Sequence, residues 1–386
     1  QPVPGGPVDR VDASSVFSPA EIVRAEDYAR WARTWSWSSL ALALVVAAVL
    51  ATGPGRRLVD RLPGPWWVRV VLGVVAFQLA VRLATLPFAV LLRRHQRDYD
   101  LTRQPWGEYA VDLLKGQALG IVVTSTALVV LVGLARRWVR AWPAIAAAVM
   151  AALVVVGSFV YPLLVEPLFN SFTPLPDGGL RTAILQVADE EGVPVDEVLV
   201  ADASRRTTTL NAYVSGFGTS RRVVLYDNLV EDLPQDQALS VVAHELAHAR
   251  HDDVLVGTGL GAAGAAMGVG VLALAVGAWS RRRPAGDVRH EGMADPAVVP
   301  LVLALLALGT LLSAPVQNGV SRQVETRADV DALRATEKRE PFVAMQRRLA
   351  LRSVSDPTPP AWSQWWFGSH PGTLTRIAVA ERVLPD

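Results

Sequence analysis

Six stretches of the chain are almost unbroken runs of apolar residues, at roughly 37–53, 68–92, 118–135, 142–165, 254–279 and 297–318. A helix that crosses the ~30 Å hydrocarbon core of a bilayer needs about 20 such residues. Each run therefore predicts a membrane-spanning helix. Trp35, Trp37, Trp66, Trp67, Trp138, Trp142 and Trp279 stand at the ends of the runs, where an aromatic belt meets the headgroups. A single soluble core would not need so many long apolar helices. Ahead of the first run, residues 1–20 are rich in Pro, Gly and Ser, and Pro19–Trp35 has the spacing of an amphipathic helix leading to the membrane.

Two polar stretches, 166–252 and 319–386, are separated by the fifth and sixth runs, so both lie on one side of the bilayer. The chain divides into an N-terminal segment (1–36), four spans (37–165), a first polar domain (166–252), two further spans (253–318) and a C-terminal part of the polar domain (319–386). The fold class is a mainly α membrane protein, a multi-helix bundle or barrel, with a polar domain carrying a small β-sheet. Residues 208–217 and 221–226 predict that sheet's hairpin, joined by a Gly-Thr-Ser turn.

Some polar positions interrupt the apolar pattern. Arg69, Gln78 and Arg82 fall in the second run. Arg69 is near enough to its end to snorkel to the interface; Arg82 is not, and an intramembrane Arg faces protein or water. In the fifth run, Gly257/Gly261 and Gly264/Gly268 form two small-xxx-small pairs, a signal for close helix packing.

The chemistry begins at His244-Glu245-Leu246-Ala247-His248. Gln235–Ala249 predicts a helix, with Asp232 as N-cap and Pro234 in the first turn. Two histidines four apart share one helix face and can reach one metal ion, with Glu245 beside them to accept a proton from water. There are no cysteines among the 386 residues and only six histidines. Thiolate ligation and disulfides are thereby excluded, and any metal must be held by His, Asp or Glu. With 37 basic and 36 acidic residues, the charge gives no footing for nucleic acid. All the basic residues except Lys115 and Lys338 are Arg, which with the Ala and Val excess suggests a GC-rich bacterial genome.

A catalytic zinc takes three protein ligands and leaves one position open. His251 lies two helical turns, about 10 Å, from His244, too far to share the ion, and is expected beside the site or in solvent. Glu325, in the segment Ser321–Asp329 that continues the sixth run, offers the third ligand. Asp329, one turn later, can hydrogen-bond a ligating imidazole, and Arg322 and Arg327 can pair with these acids. Asn211, Ala212 and Tyr213 belong to a strand preceding the motif, on which an extended peptide could pair. His370, in Gly368-Ser369-His370-Pro371, and Arg376 could stabilise an oxyanion.

These motifs resemble, in order, those of the M48 family of zinc metallopeptidases, and in particular its integral-membrane branch, the Ste24-type CAAX prenyl proteases. The resemblance rests on Asn211-Ala212-Tyr213, His244–His248, Glu325–Asp329, and Ser369-His370-Pro371 with Arg376. Leu86-Pro87, Tyr99–Lys115 and Pro167–Leu175 extend it over nearly the whole chain from about residue 20. It implies a gluzincin-type site with one Zn2+ held by His244, His248 and Glu325. It also implies Glu245 as general base, Asp329 beside the ligands, Asn211 and Tyr213 along the substrate, and His370 and Arg376 at substrate or oxyanion. The fold it implies is a barrel of seven membrane helices around a water-filled chamber. With six runs and a start at Gln1, the first of the seven is expected upstream.

The expected activity is a zinc metalloendopeptidase acting on peptides or membrane-associated proteins within the lipid bilayer. An HtpX-like quality-control protease is the alternative; that branch has fewer spans. A catalytically silent membrane scaffold is the non-enzymatic one. The expected location is a bacterial plasma membrane with the metal domain on the cytoplasmic side, although Arg residues in the short loops are spread similarly over both faces and do not decide orientation.

Overall fold

The computed structural model describes residues 3–4, 6, 8–216, 218–281 and 292–385. Phe217, placed above in a strand, and Arg282 and Arg283, counted in a loop, lie outside the described residues.

Six helices among the described residues are long and apolar enough to cross a membrane, where the resemblance implied seven. They are α1 (Pro19–Thr52), α2 (Trp66–Asp98), α3 (Trp106–Arg137), α4 (Trp142–Val160), α7 (Asp253–Arg281) and α8 (Val299–Thr336). The polar domain adds α5 (Gly179–Glu190), α6 (Gln235–Arg250), α9 (Arg339–Arg352), α10 (Ala361–Phe367) and α11 (Thr373–Val383).

The segment expected as a separate amphipathic helix is the first half of α1. Ser18 and Glu21 form a reciprocal capping box at its start, which satisfies two orphan backbone donors and lets one helix run unbroken into the membrane. Arg347 of α9 pairs with Glu21 at 2.8 Å and donates to Val16 O at 2.9 Å, tying this start to the polar domain.

The six long helices form a ring. Each packs on its neighbour in chain order, and α8 closes the ring by packing on both α7 and α1. Val70, Val74, Val132, Val299 and Val302 anchor the apolar contacts. The buried share of each apolar window runs only from 0% to 33%, so most of each span's apolar surface is left for contact with lipid. Within the wall, Arg82 donates from Nε to Gln117 Oε1 at 2.9 Å, and Gln117 donates to Gln78 Oε1 at 3.0 Å. These polar groups of α2 and α3 satisfy one another. Arg69 binds Val59 O at 3.2 Å at the span's end. Of the four glycines in the two α7 pairs, a Cβ on Gly261 would meet Val154 at 3.5 Å, whereas Gly257, Gly264 and Gly268 meet nothing within 4 Å. The small-residue pattern thus marks one close contact with α4, not a continuous seam.

The polar domain is built on a four-stranded sheet of β1 (Phe172–Pro174), β2 (Glu197–Ala201), β3 (Ala212–Ser215) and β4 (Arg222–Tyr226), in the order β1-β2-β4-β3. β3 and β4 form the expected antiparallel hairpin, while β2 and β4 run parallel. Ile184, Leu225, Leu246, Leu333 and Phe342 are fully buried between sheet and helices. β3 is an edge strand. Tyr226 N–H donates to Asn211 O at 3.0 Å, which fixes the antiparallel phase: Tyr213 and Ser215 pair with β4, and the N–H and C=O groups of Ala212 and Val214 point to the open edge.

At 1.5 Å per residue, the 38 residues of α8 span roughly 57 Å, against ~30 Å of hydrocarbon. The helix therefore projects well into the polar domain and carries Glu325 and Asp329 there. α6 starts at Gln235 as expected, but its N-cap is Pro234, not Asp232. Asp232 ends the preceding short helix and pairs with Arg352, because Pro234 sets the extended backbone from which α6 starts.

Candidate metal centre

α6 and the far end of α8 pack side by side, bringing together groups 77 residues apart in the chain. His244 Nε2 lies 3.2 Å from His248 Nε2 and 3.2 Å from Glu325 Oε2. His248 Nε2 lies 3.7 Å from Glu325 Oε1. Tetrahedral zinc with bonds near 2.1 Å separates its ligand atoms by roughly 3.3 Å, so this spacing fits one ion. Glu325 Oε2 is buried and makes no hydrogen bond, an orphaned atom that a cation would satisfy. The donor set, two imidazoles and a carboxylate, suits zinc.

The outer ring nitrogens are also held. Asp329 Oδ1 lies 2.9 Å from His244 Nδ1, and Asp253 Oδ2 lies 2.9 Å from His248 Nδ1. Each Asp has its own cation. Arg376 grips Asp329 with Nε at 2.8 Å and Nη2 at 2.5 Å, and Arg327 pairs with Asp253. Nδ1–H donation to a carboxylate fixes the tautomer that turns each Nε2 lone pair inward.

Without a metal, the electrostatics are those of three donors crowded together. Burial opposes a charge on His244, but the carboxylates of Asp329 and Glu325 outweigh it and hold the imidazole up to about 9. His248 is pushed down by burial and then by the neighbouring charge of His244. Glu245, on the cleft wall, is pushed up to about 7 by burial. His370 is pushed down, again chiefly by burial.

A cleft of about 430 Å3 opens beside the ligands. Asn211, Ala212, Val214, Glu245, the three candidate ligands and His370 all line it. His370 Nε2 is 3.3 Å from Glu325 Oε1, and its Nδ1 is 2.9 Å from Ser369 Oγ.

Several residues stand elsewhere than the sequence suggested. Arg322 does not pair with Glu325 or Asp329; its Nη1 donates to Gly368 O at 2.5 Å and Gln364 O at 3.3 Å, clamping the turn that leads to His370. Arg376 is not a wall of the cleft; it lies behind His244, 3.4 Å from Nδ1. Tyr213 faces away from the cleft into a second cavity, because alternate strand residues point to opposite faces. His251 pairs with Asp331 at 2.7 Å, apart from the ligands.

Asp253 was not foreseen. It is five residues past His248, off its face on a continuous helix. Asp252 adopts a left-handed φ of 51°, ending α6 and swinging Asp253 back under the histidine. A Gly-free break followed by an acid was the only signal.

The peptidase family M48 model matches residues 174–383, and a model described as the CAAX prenyl protease N-terminal, five membrane helices, matches residues 14–171. The chain belongs to peptidase family M48. This M48 peptidase is 28% identical over 386 residues to an uncharacterized metalloprotease, YhfN, of Bacillus subtilis, covering 97% of this chain and 88% of that one. It is 29% identical to an Arabidopsis thaliana CAAX prenyl protease 1 homolog over 78% of this chain and 70% of the relative. The crystal structure of S. mikatae Ste24p superposes with a TM-score of 0.84 at 19% identity, covering 97% of this chain and 92% of that one, so the M48 peptidase has the Ste24 fold. It is an integral-membrane metalloprotease.

Proposed function

We propose that this metalloprotease is a zinc-dependent endopeptidase that cleaves extended peptides lying along β3. The observation that carries the reading is the convergence of His244 Nε2, His248 Nε2 and the orphaned Glu325 Oε2 on one cleft that also holds Glu245. Zinc held by these three residues supplies a Lewis acid and lowers the pKa of water.

The chain's own groups do the rest. The outward N–H and C=O groups of Ala212 and Val214 pair with the peptide and fix its register. Glu245 takes a proton from the attacking water and returns it to the leaving amine, the ordinary task of a positioned carboxylate. His370, which lines the same cleft as β3 with Nε2 3.3 Å from Glu325 Oε1, donates to the carbonyl oxygen as it becomes anionic. Arg376 is assigned to holding Asp329, given its bidentate grip there.

The substrate is a membrane-associated or partly unfolded protein. The membrane ring, larger than the quality-control alternative requires, and the relatives named as CAAX prenyl proteases support a Ste24-type role. The proposed setting is a bacterial plasma membrane with the metal domain in the cytoplasm. The test is metal analysis with casein cleavage, with and without chelator. Glu245→Gln is expected to retain zinc and lose activity by at least about 10²-fold; full activity in that variant sinks the assignment.

A further inference from the structure

Span α4 ends in a single π turn, Tyr161–Val165, and Glu166 is the next residue. Such turns are rare and recur at functional sites. Glu166 reaches from this turn to the back of β3. Ser215 Oγ donates to its carboxylate, 3.3 Å from Oε1 and 3.4 Å from Oε2, and the Tyr213 hydroxyl interacts with the same group. Period-two alternation puts Tyr213 and Ser215 on one face of β3, with Ala212 and Val214 on the other. Ala212 and Val214 accordingly line the metal cleft, while Tyr213 and Glu166 line a cavity of about 380 Å3 on the reverse side.

β3 is four residues long and has one strand partner, β4. A short edge strand presenting its backbone to a ligand has little in the sheet to fix its height above the metal ligands. The segment carrying Glu166 is itself held firmly. Lys115 of α3 donates to Leu168 O at 3.0 Å, and Arg205 to Phe169 O at 3.0 Å.

We propose that Glu166 is a positioning residue for the substrate strand, fastening the back of β3 to the end of span α4 so that Ala212 and Val214 meet the peptide at a fixed height beside the metal ligands. This rests on the pairing of substrate with β3 proposed above. It assigns the alignment of the scissile bond to a membrane helix, through one carboxylate and two hydroxyls.

The experiment uses full-length, zinc-loaded protein and an extended peptide substrate. Glu166→Ala is expected to keep its zinc and lose kcat/KM on the order of 10²-fold, as a misplacement near 1 Å does. Glu166→Gln, which still accepts from both hydroxyls, is expected to restore most of the loss. The Tyr213→Phe/Ser215→Ala double variant should reproduce the Ala phenotype, and adding Glu166→Ala to it should cost nothing more. An unchanged kcat/KM in Glu166→Ala, or a Gln variant as impaired as Ala, overturns the proposal. If Glu166→Ala fails to fold, the double variant decides: full activity in it overturns the role. Glu245→Gln is run alongside. An inactive Glu245→Gln beside a fully active Glu166→Ala overturns the positioning role alone, whereas an active Glu245→Gln strikes the functional reading itself.

Discussion

Asp253 Oδ2 stands 2.9 Å from His248 Nδ1, the distance that also separates Asp329 Oδ1 from His244 Nδ1. The two histidines of the motif are thus held by matched Asp–Arg pairs from different helices, Asp253 with Arg327 and Asp329 with Arg376. Removing such a partner typically weakens metal binding by about 10–100-fold. Asp253→Ala and Asp329→Ala are each expected to show that loss in competition with a chelating dye. An Asp253→Ala variant with wild-type zinc affinity would remove Asp253 from the site.

The proton on His244 sets the pH dependence of metal uptake. In the metal-free chain its imidazole is held up to about 9 from 6.5, and zinc needs the neutral ring. Apparent zinc affinity should fall by roughly tenfold per pH unit below about 9, with proton release on binding. The stability of the metal-free chain should run the other way. A raised pKa contributes stability in full below 6.5, and that contribution is lost as pH rises through about 9. Calorimetric titration in two buffers of different ionisation heat, with melting curves of chelated protein, reads both signs.

Val214 offers its N–H to the open edge, whereas Tyr213 and Ser215 use theirs within the sheet. Val214→Pro removes one outward donor and no ladder bond, an edge position where proline is tolerated. The expected result is a kcat/KM about fivefold lower, the worth of one hydrogen bond of ~1 kcal/mol, with zinc content unchanged. Wild-type kinetics in that variant would argue that substrate does not pair with β3.

Arg322 holds the carbonyls of Gln364 and Gly368, and so the turn before His370. Arg322→Ala is expected to lower kcat in the same direction as His370→Ala but by less, with zinc retained. Combining the two should cost little beyond His370→Ala alone. Additive losses in a double-mutant cycle would separate Arg322 from His370.

The spans were legible because an apolar run of about 20 residues matches the thickness of a bilayer and exceeds what one face of a soluble helix buries. The closeness of His244 to His248 was legible because helical spacing puts them on one face. What escaped depended on breaks in regular structure or on long reach. Asp253 needed the left-handed turn at Asp252. Arg322 binds carbonyls 42 and 46 residues away in sequence, which no local pattern encodes. Tyr213 was expected along the strand with no face assigned, and it lines the second cavity, since the residues do not say which side of a hairpin a helix covers. Pro234 took the N-cap of α6 from Asp232 by holding an extended backbone there.

The projection of α8 beyond the bilayer has a consequence for biosynthesis. His248, the later of the two histidines, leaves the ribosome 77 residues before Glu325, about 4–15 s at ordinary translation speeds. During that interval the chain has two ligands and no third, and β3 already stands beside them. Hydrolytic competence arrives only when the sixth helix is threaded and its extension docks.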